Sequence, residues 1–159
     1  MTGVPIIRFV KKTDIDDLVR LCEQHAVFER SAFDPKNKEE DLITHLFSTT
    51  PSLHCLIVEN KDKIIGYATY MKQFSTWDAG YYIYMDCLFI KEASRGYGLG
   101  EKLIDKIKSH GCELGCSQIQ WQTPEFNKRA MKFYDRIGAN GKTKERYFLK
   151  INTPKQTKN

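Results

Sequence analysis

The sequence contains no run of apolar residues close to the roughly 20 that a membrane-spanning helix needs. It also has no basic start followed by an apolar stretch, so we expect neither a membrane span nor a secretory signal peptide. No repeat, linker or low-complexity segment interrupts its 159 residues. We therefore predict a single domain over residues 1–153, large enough to bury a core, followed by a flexible basic tail at 154–159.

Paired cysteines are also missing. The five cysteines are odd in number and scattered, and none forms a C-x-x-C pair. This pattern favours free thiols in the reducing cytoplasm. His110, Cys112 and Cys116 lie close together in the sequence, but a fourth ligand at suitable spacing is absent, so we expect no metal site.

Acidic residues are in the minority, with 25 Lys and Arg against 20 Asp and Glu and a net charge of +5. The basic residues are not interleaved with aromatic residues on one face, as a nucleic-acid-binding surface would require. A modest positive excess does suit an enzyme whose cofactor carries several phosphate charges. We therefore expect neither nucleic acid nor a membrane as a partner.

What the chain does have is a regular succession of secondary structure elements. Apolar spacing predicts strands at 6–10, 53–59, 64–71, 82–90, 117–123 and 146–151. It predicts helices from a capping box at Thr13 to before Ser31, and at 38–47, 99–111 and 127–137. Gly138 is expected to end the last helix as a left-handed cap. This order indicates an α/β fold, a mixed sheet flanked by helices.

A glycine-rich turn lies between the strand that ends at Ile90 and the helix that follows. Arg95–Gly100 reads Arg-Gly-Tyr-Gly-Leu-Gly. Its backbone N–H groups and the positive end of the helix dipole predict a phosphate ligand. Glu101 and Lys102 follow in place of the Lys-Ser or Lys-Thr of a Walker-A loop, and the glycine spacing differs from that of a dinucleotide turn. A glycine loop without a ligand is the alternative.

Two motifs carry a resemblance to a known superfamily. The pattern Arg-x-x-Gly-x-Gly at Arg95–Gly100 resembles the pyrophosphate loop of the GCN5-related N-acetyltransferases. About thirty residues later, Asn127–Ala139 is similar to the Asn-x-x-Ala-x-x-Phe-Tyr helix of the same superfamily. A finer resemblance, to the diamine (spermidine/spermine) N1-acetyltransferases, covers roughly residues 5–151 and rests on the segments 25–29, 52–58, 76–77 and 83–86.

The resemblance implies the GNAT fold and an enzyme that transfers acetyl directly from acetyl-CoA to a primary amine of a small molecule, preferably a diamine or polyamine. It also implies a homodimer. A thialysine-like amino acid, an aminoglycoside and a protein amine remain open as acceptors, and an idle acyl-CoA-binding module remains open as a different class. The residues that it implies for binding CoA are Leu88, Phe89, Ile90, Arg95, Gly96, Tyr97, Gly98, Leu99, Gly100, Glu101, Asn127 and Ala130.

The same resemblance implies the catalytic and acceptor-binding residues. Tyr134 is the expected general acid, since a phenol with a pKa of about 10 can protonate the departing thiolate. Asp86 and Glu29 are the candidate carboxylates that attract the ammonium and accept its proton. Phe28, Glu29 and Trp77 are expected to join Asp86 around the acceptor.

The chain departs from the diamine acetyltransferases at the acidic pair of that family. One of the two carboxylates is lost, because this chain has Asp86-Cys87 at that place. Cys87 suggests an acetyl-cysteine route, but no histidine is placed by motif to activate its thiol. We therefore expect direct transfer.

Overall fold

A computed structural model describes residues 3–151, and the predicted tail at 154–159 lies outside them. The chain divides into a larger unit, Met1–Pro124, and a smaller one, Glu125–Asn159. Within residues 3–151, no helix combines the length and the apolar composition needed to cross a bilayer.

The larger unit follows the predicted order of elements. Its helices and strands are β1 (Ile6–Phe9), α1 (Ile15–Phe28), α2 (Lys38–Leu46), β2 (His54–Asn60), β3 (Lys63–Ser75), β4 (Gly80–Ile90), α3 (Leu99–Glu113) and β5 (Cys116–Gln120). They form one five-stranded sheet in the order β1-β2-β3-β4-β5. The first four strands are antiparallel and β5 runs parallel to β4, so the predicted mixed sheet is confirmed.

Helices cover both faces of this sheet. Tyr67 and Tyr70 are three residues apart on β3 and therefore point to opposite faces. The hydroxyl group of Tyr67 contacts His25 of α1, and that of Tyr70 contacts His110 of α3. The core on the α1 side includes Ile15, Leu18, Leu21, Leu46, Cys55, Ile57, Tyr67 and Phe89. On the other side α3 buries Leu103, Ile104 and Ile107 almost completely.

The predicted capping box at Thr13 is wrong, because the box lies two residues earlier, with Lys11 as the N-cap and Asp14 as its third residue. Its carboxylate accepts the backbone N–H of Lys11 at 2.7 Å and bonds the guanidinium of Arg8 at 2.8 Å. Arg8 holds the pKa of the Asp14 carboxyl below its usual range. A short 3-10 turn at Lys12–Asp14 therefore precedes α1, which begins at Ile15.

The smaller unit contains α4 (Lys128–Arg136), and both ends of this helix are held by hydrogen bonds. The side chain of Asn127 accepts the N–H of Ala130 at 3.2 Å. At the other end Gly138 has a φ of +85°, and the N–H of Ala139 reaches back to the carbonyl of Tyr134 at 3.0 Å. This is a Schellman motif, so the predicted left-handed cap at Gly138 is confirmed.

The predicted strand at 146–151 is wrong, since residues 139–151 contain no helix or strand. The apolar side chains of this segment lie in solvent, with Tyr147 90% and Leu149 94% exposed. Alternating apolar residues form a stable strand only when a neighbouring strand pairs with them. Among the described strands none pairs with this segment.

Candidate active site

A bulge in β4 exposes Asp86. Thr69 pairs with Cys87 and the next residue of β3, Tyr70, pairs with Met85, so Asp86 is an extra residue on β4 without a partner opposite it. A bulge bends the strand and redirects the side chain that it carries. The Asp86 side chain is consequently exposed although β4 is a central strand.

Beyond the middle of β4, its neighbour β5 no longer pairs with it. Within the described sheet, β5 pairs with β4 only at Tyr81, Ile83 and Tyr84. On the opposite side β3 stays paired with β4 as far as Ile90. The last residues of β4 therefore border a gap in the sheet.

The hydrogen-bond pattern determines which backbone groups face this gap. The N–H of Lys91 bonds the carbonyl of Ile65 across from it, so these two residues form a hydrogen-bonded antiparallel pair. Such pairs alternate with pairs whose backbone groups point away from the partner strand. Ile90 and Leu88 are consequently the residues whose N–H and C=O groups point away from β3, toward the gap, whereas those of Phe89 bond to β3.

The glycine turn provides an open cradle at the start of α3. Gly96 and Gly98 have φ values of +88° and +72°, in the left-handed region that favours glycine. A Cβ at either position would meet no atom within 4 Å, so the backbone is accessible there. Gly98 is the N-cap of α3, whose first N–H groups and dipole favour an anion. Leu99 is buried, so it can serve this cradle only with its backbone.

Arg95 connects the glycine turn to the end of β4. Its Nε donates to the carbonyl of Ile90 at 2.8 Å. The guanidinium lies 4.6 Å from the ring centre of Phe28 and 5.7 Å from that of Phe89. The structure therefore brings Phe28 of the predicted acceptor group next to Arg95 of the predicted cofactor group.

Glu29 lies beside a buried histidine that motif analysis did not include among the site residues. His25 is only 8% exposed and stacks on Phe89 with ring centres 5.0 Å apart. Its Nε2 is 3.2 Å from Glu29 Oε1, and its Nδ1 is 2.9 Å from the hydroxyl oxygen of Tyr67. Burial lowers the pKa of His25, and Glu29 opposes that shift. The signal available in the sequence was a histidine on the buried stripe of α1.

Asp86 lines a cleft of about 510 Å³ together with residues from α2 and the loop before it. The charged side chains of this cleft, called here the acceptor cleft, are Asp34, Lys36, Lys38, Asp41 and Asp86. Three carboxylates and two ammonium groups thus line one cleft. Apart from Asp86, these residues were not predicted as a site, because their assembly depends on tertiary contacts.

Trp77 does not join this cleft within one chain. It is 95% exposed, in the turn between β3 and β4. The cleft residue Asp86 lies further along β4, and the strand from Gly80 to Asp86 spans about 20 Å. The expectation that Trp77 contacts the acceptor remains a prediction.

Cys87 is a poor nucleophile in this environment. Burial, and then the charge of Asp86, raise the pKa of its thiol to about 12. The thiol therefore stays protonated at neutral pH, and its sulfur lies 3.8 Å from Asp86 Oδ2. This protonation favours direct transfer over an acetyl-cysteine route.

The smaller unit carries the remaining predicted residues, Asn127, Ala130 and Tyr134. Asn127 and Ala130 are joined by the N-cap hydrogen bond of α4. Tyr134 is half-buried on α4, with its ring centre 5.1 Å from that of Phe133.

Comparisons with known proteins agree with these features. A model described as the Acetyltransferase (GNAT) family matches residues 15–139. The chain is 34% identical over 146 residues to the thialysine N-epsilon-acetyltransferase of Bos taurus, covering 87% of this chain and 85% of that protein. It is 23% identical over 133 residues to the D-amino-acid N-acetyltransferase HPA3 of Saccharomyces cerevisiae, covering 83% of each.

A solved structure shares the fold. The aminoglycoside N-acetyltransferase AAC(6′)-Iy in complex with CoA superposes with a TM-score of 0.80 at 18% identity, covering 94% of this chain and 97% of that one. The family model spans most of the chain, and the bovine relative exceeds 30% identity over most of its length. The chain therefore belongs to the GNAT family and is an acetyl-CoA-dependent N-acetyltransferase.

Proposed function

We propose that the acceptor is a small amino acid with a side-chain primary amine, such as thialysine or lysine. The observation that carries this proposal is the mixed charge of the acceptor cleft, where Asp34, Asp41 and Asp86 lie with Lys36 and Lys38. The two relatives described above, whose names specify thialysine and D-amino acids, support it.

The carboxylates account for recognition of the amine. An alkyl amine has a pKa of about 10.4 and reaches the enzyme as an ammonium ion. Asp86 is exposed on its bulge and can attract that ion before acetyl transfer. A diamine or polyamine is the second candidate, and the presence of three carboxylates in one cleft favours it.

The lysines account for the preference for an amino acid. An acceptor with two amines and no carboxylate leaves Lys36 and Lys38 without a counter-charge on the ligand. An amino acid supplies one, because its carboxylate can pair with either ammonium group. The position of Lys38 is defined by Phe33, since its Nζ lies 4.6 Å from the centre of that ring.

The donor side of the site is formed by β4 and the glycine turn. We assign the pyrophosphate of CoA to the backbone from Gly96 to Glu101, because the left-handed glycines leave it open and α3 begins there. The N–H and C=O groups of Leu88 and the N–H of Ile90 suit an extended amide-containing arm that adds to the sheet like a strand, while the carbonyl of Ile90 bonds Arg95. Acetyl-CoA supplies the activated acetyl group, and the protein supplies its orientation.

We assign the general acid to Tyr134. A phenol is protonated at neutral pH and can donate a proton to a thiolate as it departs. Tyr134 is held in place by α4, which is capped at both ends, and by the ring of Phe133. The resemblance of Asn127–Ala139 to the superfamily helix supports this role.

We also propose a cytoplasmic homodimer. All five cysteines are free, which suits a reducing compartment. Trp77, Tyr147, Phe148, Leu149 and Ile151 expose large apolar side chains, and a second copy of the chain would cover such surface.

The acceptor assignment predicts a difference between two amines that differ only by a carboxylate, lysine and cadaverine. We expect a higher kcat/KM for lysine and thialysine than for cadaverine and putrescine in assays of CoA thiol release. The variant Lys38→Gln should raise KM for lysine and leave KM for cadaverine unchanged. Lys63→Gln, outside the cleft, is the control. Faster turnover of the diamines by the wild type would reject the amino acid in favour of the second candidate.

The donor assignment predicts that Gly98→Ala weakens CoA binding. Without CoA, a loop with alanine at position 98 can leave the left-handed conformation, and binding must then restore it. A left-handed conformation costs a residue with a Cβ roughly 1–2 kcal/mol, so Kd should rise by up to about 5- to 30-fold. Gly115→Ala is the matched control, because Gly115 also has a left-handed φ, +74°, and open space but follows the other end of α3. Calorimetric titration with CoA should separate the two variants, and equal affinities would contradict the assignment.

The general-acid assignment predicts that Tyr134→Phe lowers kcat by roughly 10²- to 10⁴-fold with little change in acetyl-CoA affinity. Tyr81→Phe, which removes a partly exposed hydroxyl group near the start of β4, should keep wild-type kcat. The measurement is kcat at saturating amine. A Tyr134→Phe enzyme with wild-type kcat would remove Tyr134 from the mechanism, provided that chemistry limits the rate.

A further inference from the structure

His25 lies at the centre of a chain of polar contacts that begins at Glu29. The Glu29 carboxylate is one-third exposed and lies 3.2 Å from His25 Nε2. The other ring nitrogen, Nδ1, lies 2.9 Å from the hydroxyl oxygen of Tyr67, a side chain that is 1% exposed. The stack with Phe89 fixes the plane of the His25 ring. Glu29 is therefore the contact between this buried histidine and the surface.

The chain of contacts continues from Tyr67 to Asp86. The thiols of Cys22 and Cys87 lie beside the Tyr67 hydroxyl group. The sulfur of Cys87 lies 3.8 Å from Asp86 Oδ2. Glu29 and Asp86, the two carboxylates that the sequence indicated for the acceptor, are thus linked through the protein interior.

This arrangement gives His25 Nδ1 a partner in both protonation states of the ring. When the ring is neutral with its proton on Nδ1, Nδ1–H donates to the hydroxyl oxygen of Tyr67, and the lone pair of Nε2 faces Glu29. When the ring is protonated, both nitrogens donate, Nδ1–H to Tyr67 and Nε2–H to Glu29. Uptake of a proton at Nε2 therefore adds a charge-assisted contact to Glu29 and breaks no hydrogen bond at Nδ1.

We propose that His25 is a positioning residue for acetyl transfer, which holds the Glu29 carboxylate toward the acceptor amine and receives the proton of that amine through Glu29. The inference rests on the proposed function, since it requires an amine acceptor. After the ammonium has lost one proton to solvent, the neutral nitrogen attacks the acetyl carbon. As the nitrogen–carbon bond forms and the carbon–sulfur bond breaks, the nitrogen gives a second proton to Glu29, which passes it to the lone pair of His25 Nε2, and the departing thiolate takes a proton from Tyr134. His25 later returns the proton through Glu29 to solvent.

The charges around His25 agree with this role. Glu29 faces it from α1, Tyr67 from β3, Asp86 and Cys87 from β4, and Arg95 from the glycine turn. Burial lowers the pKa of His25 below 6.5, Glu29 and Asp86 raise it, and Arg95 lowers it. The ring is therefore neutral at pH 7 and able to accept a proton.

The kinetic test compares His25→Gln with wild type. The amide of glutamine can bond both Glu29 and Tyr67 but cannot take up a proton, so we expect roughly a 10²-fold fall in kcat/KM. The acid limb of the pH profile should also disappear, while CoA affinity is retained. His54→Gln is the matched control, because His54 is half-buried, stacks on Tyr70 and also has a pKa lowered by burial. It should keep the wild-type profile.

A second measurement does not depend on the folding of a His25 variant. The ring protons of His25 are followed by NMR against pH in the wild type and in Glu29→Gln. Because the Glu29 carboxylate raises the pKa of His25, its removal should move the titration of His25 to lower pH. The double variant His25→Gln/Glu29→Gln should be about as active as the less active of the two single variants, because the two residues act as one unit.

The outcomes separate this inference from the function on which it rests. Either of two results would overturn the role of His25 alone. One is wild-type turnover of an amine together with a wild-type pH profile in His25→Gln. The other is an unchanged titration of His25 in Glu29→Gln. A wild-type enzyme that acetylates no amine in the panel would overturn the proposed function and, with it, this inference.

Discussion

The pairing of β4 with its two neighbours determines the rest of the site. β3 pairs with β4 as far as Ile90, whereas β5 stops pairing with it at Tyr84. The backbone groups of Leu88 and Ile90 consequently point into a gap, a place in a central strand where a ligand can form the missing hydrogen bonds. Arg95 closes the end of this gap by bonding the carbonyl of Ile90.

The acceptor side follows from the same strand. The bulge at Asp86 turns a carboxylate into the acceptor cleft, and the next residue, Cys87, faces the core beside Tyr67. In the proposed assignment, one strand thus presents backbone to the donor, a charge to the acceptor and a link to His25. The chain has Cys87 where the diamine acetyltransferases that it resembles have a second acidic residue. The cleft contains other carboxylates, which come from α2 and the loop before it.

Local patterns in the sequence predicted the parts of the fold that depend on local physics. The order of elements, the glycine turn and the cap at Gly138 each follow from spacing or from a backbone angle that glycine permits. The strand at 146–151 was wrong, because strand formation depends on a partner that no local pattern provides. The contact between His25 and Tyr67 joins residues 42 positions apart, so only the folded sheet could reveal it.

If the gap beside β4 accepts the arm of CoA, bound CoA must protect the backbone N–H groups that face the gap, and amide hydrogen exchange measures this protection. Exchange at individual backbone N–H groups is measured by NMR with and without saturating CoA. CoA should slow exchange at Leu88 and Ile90 and leave exchange at Phe89, which already bonds β3, unchanged. Saturating CoA binding without added protection at Leu88 and Ile90 would contradict it.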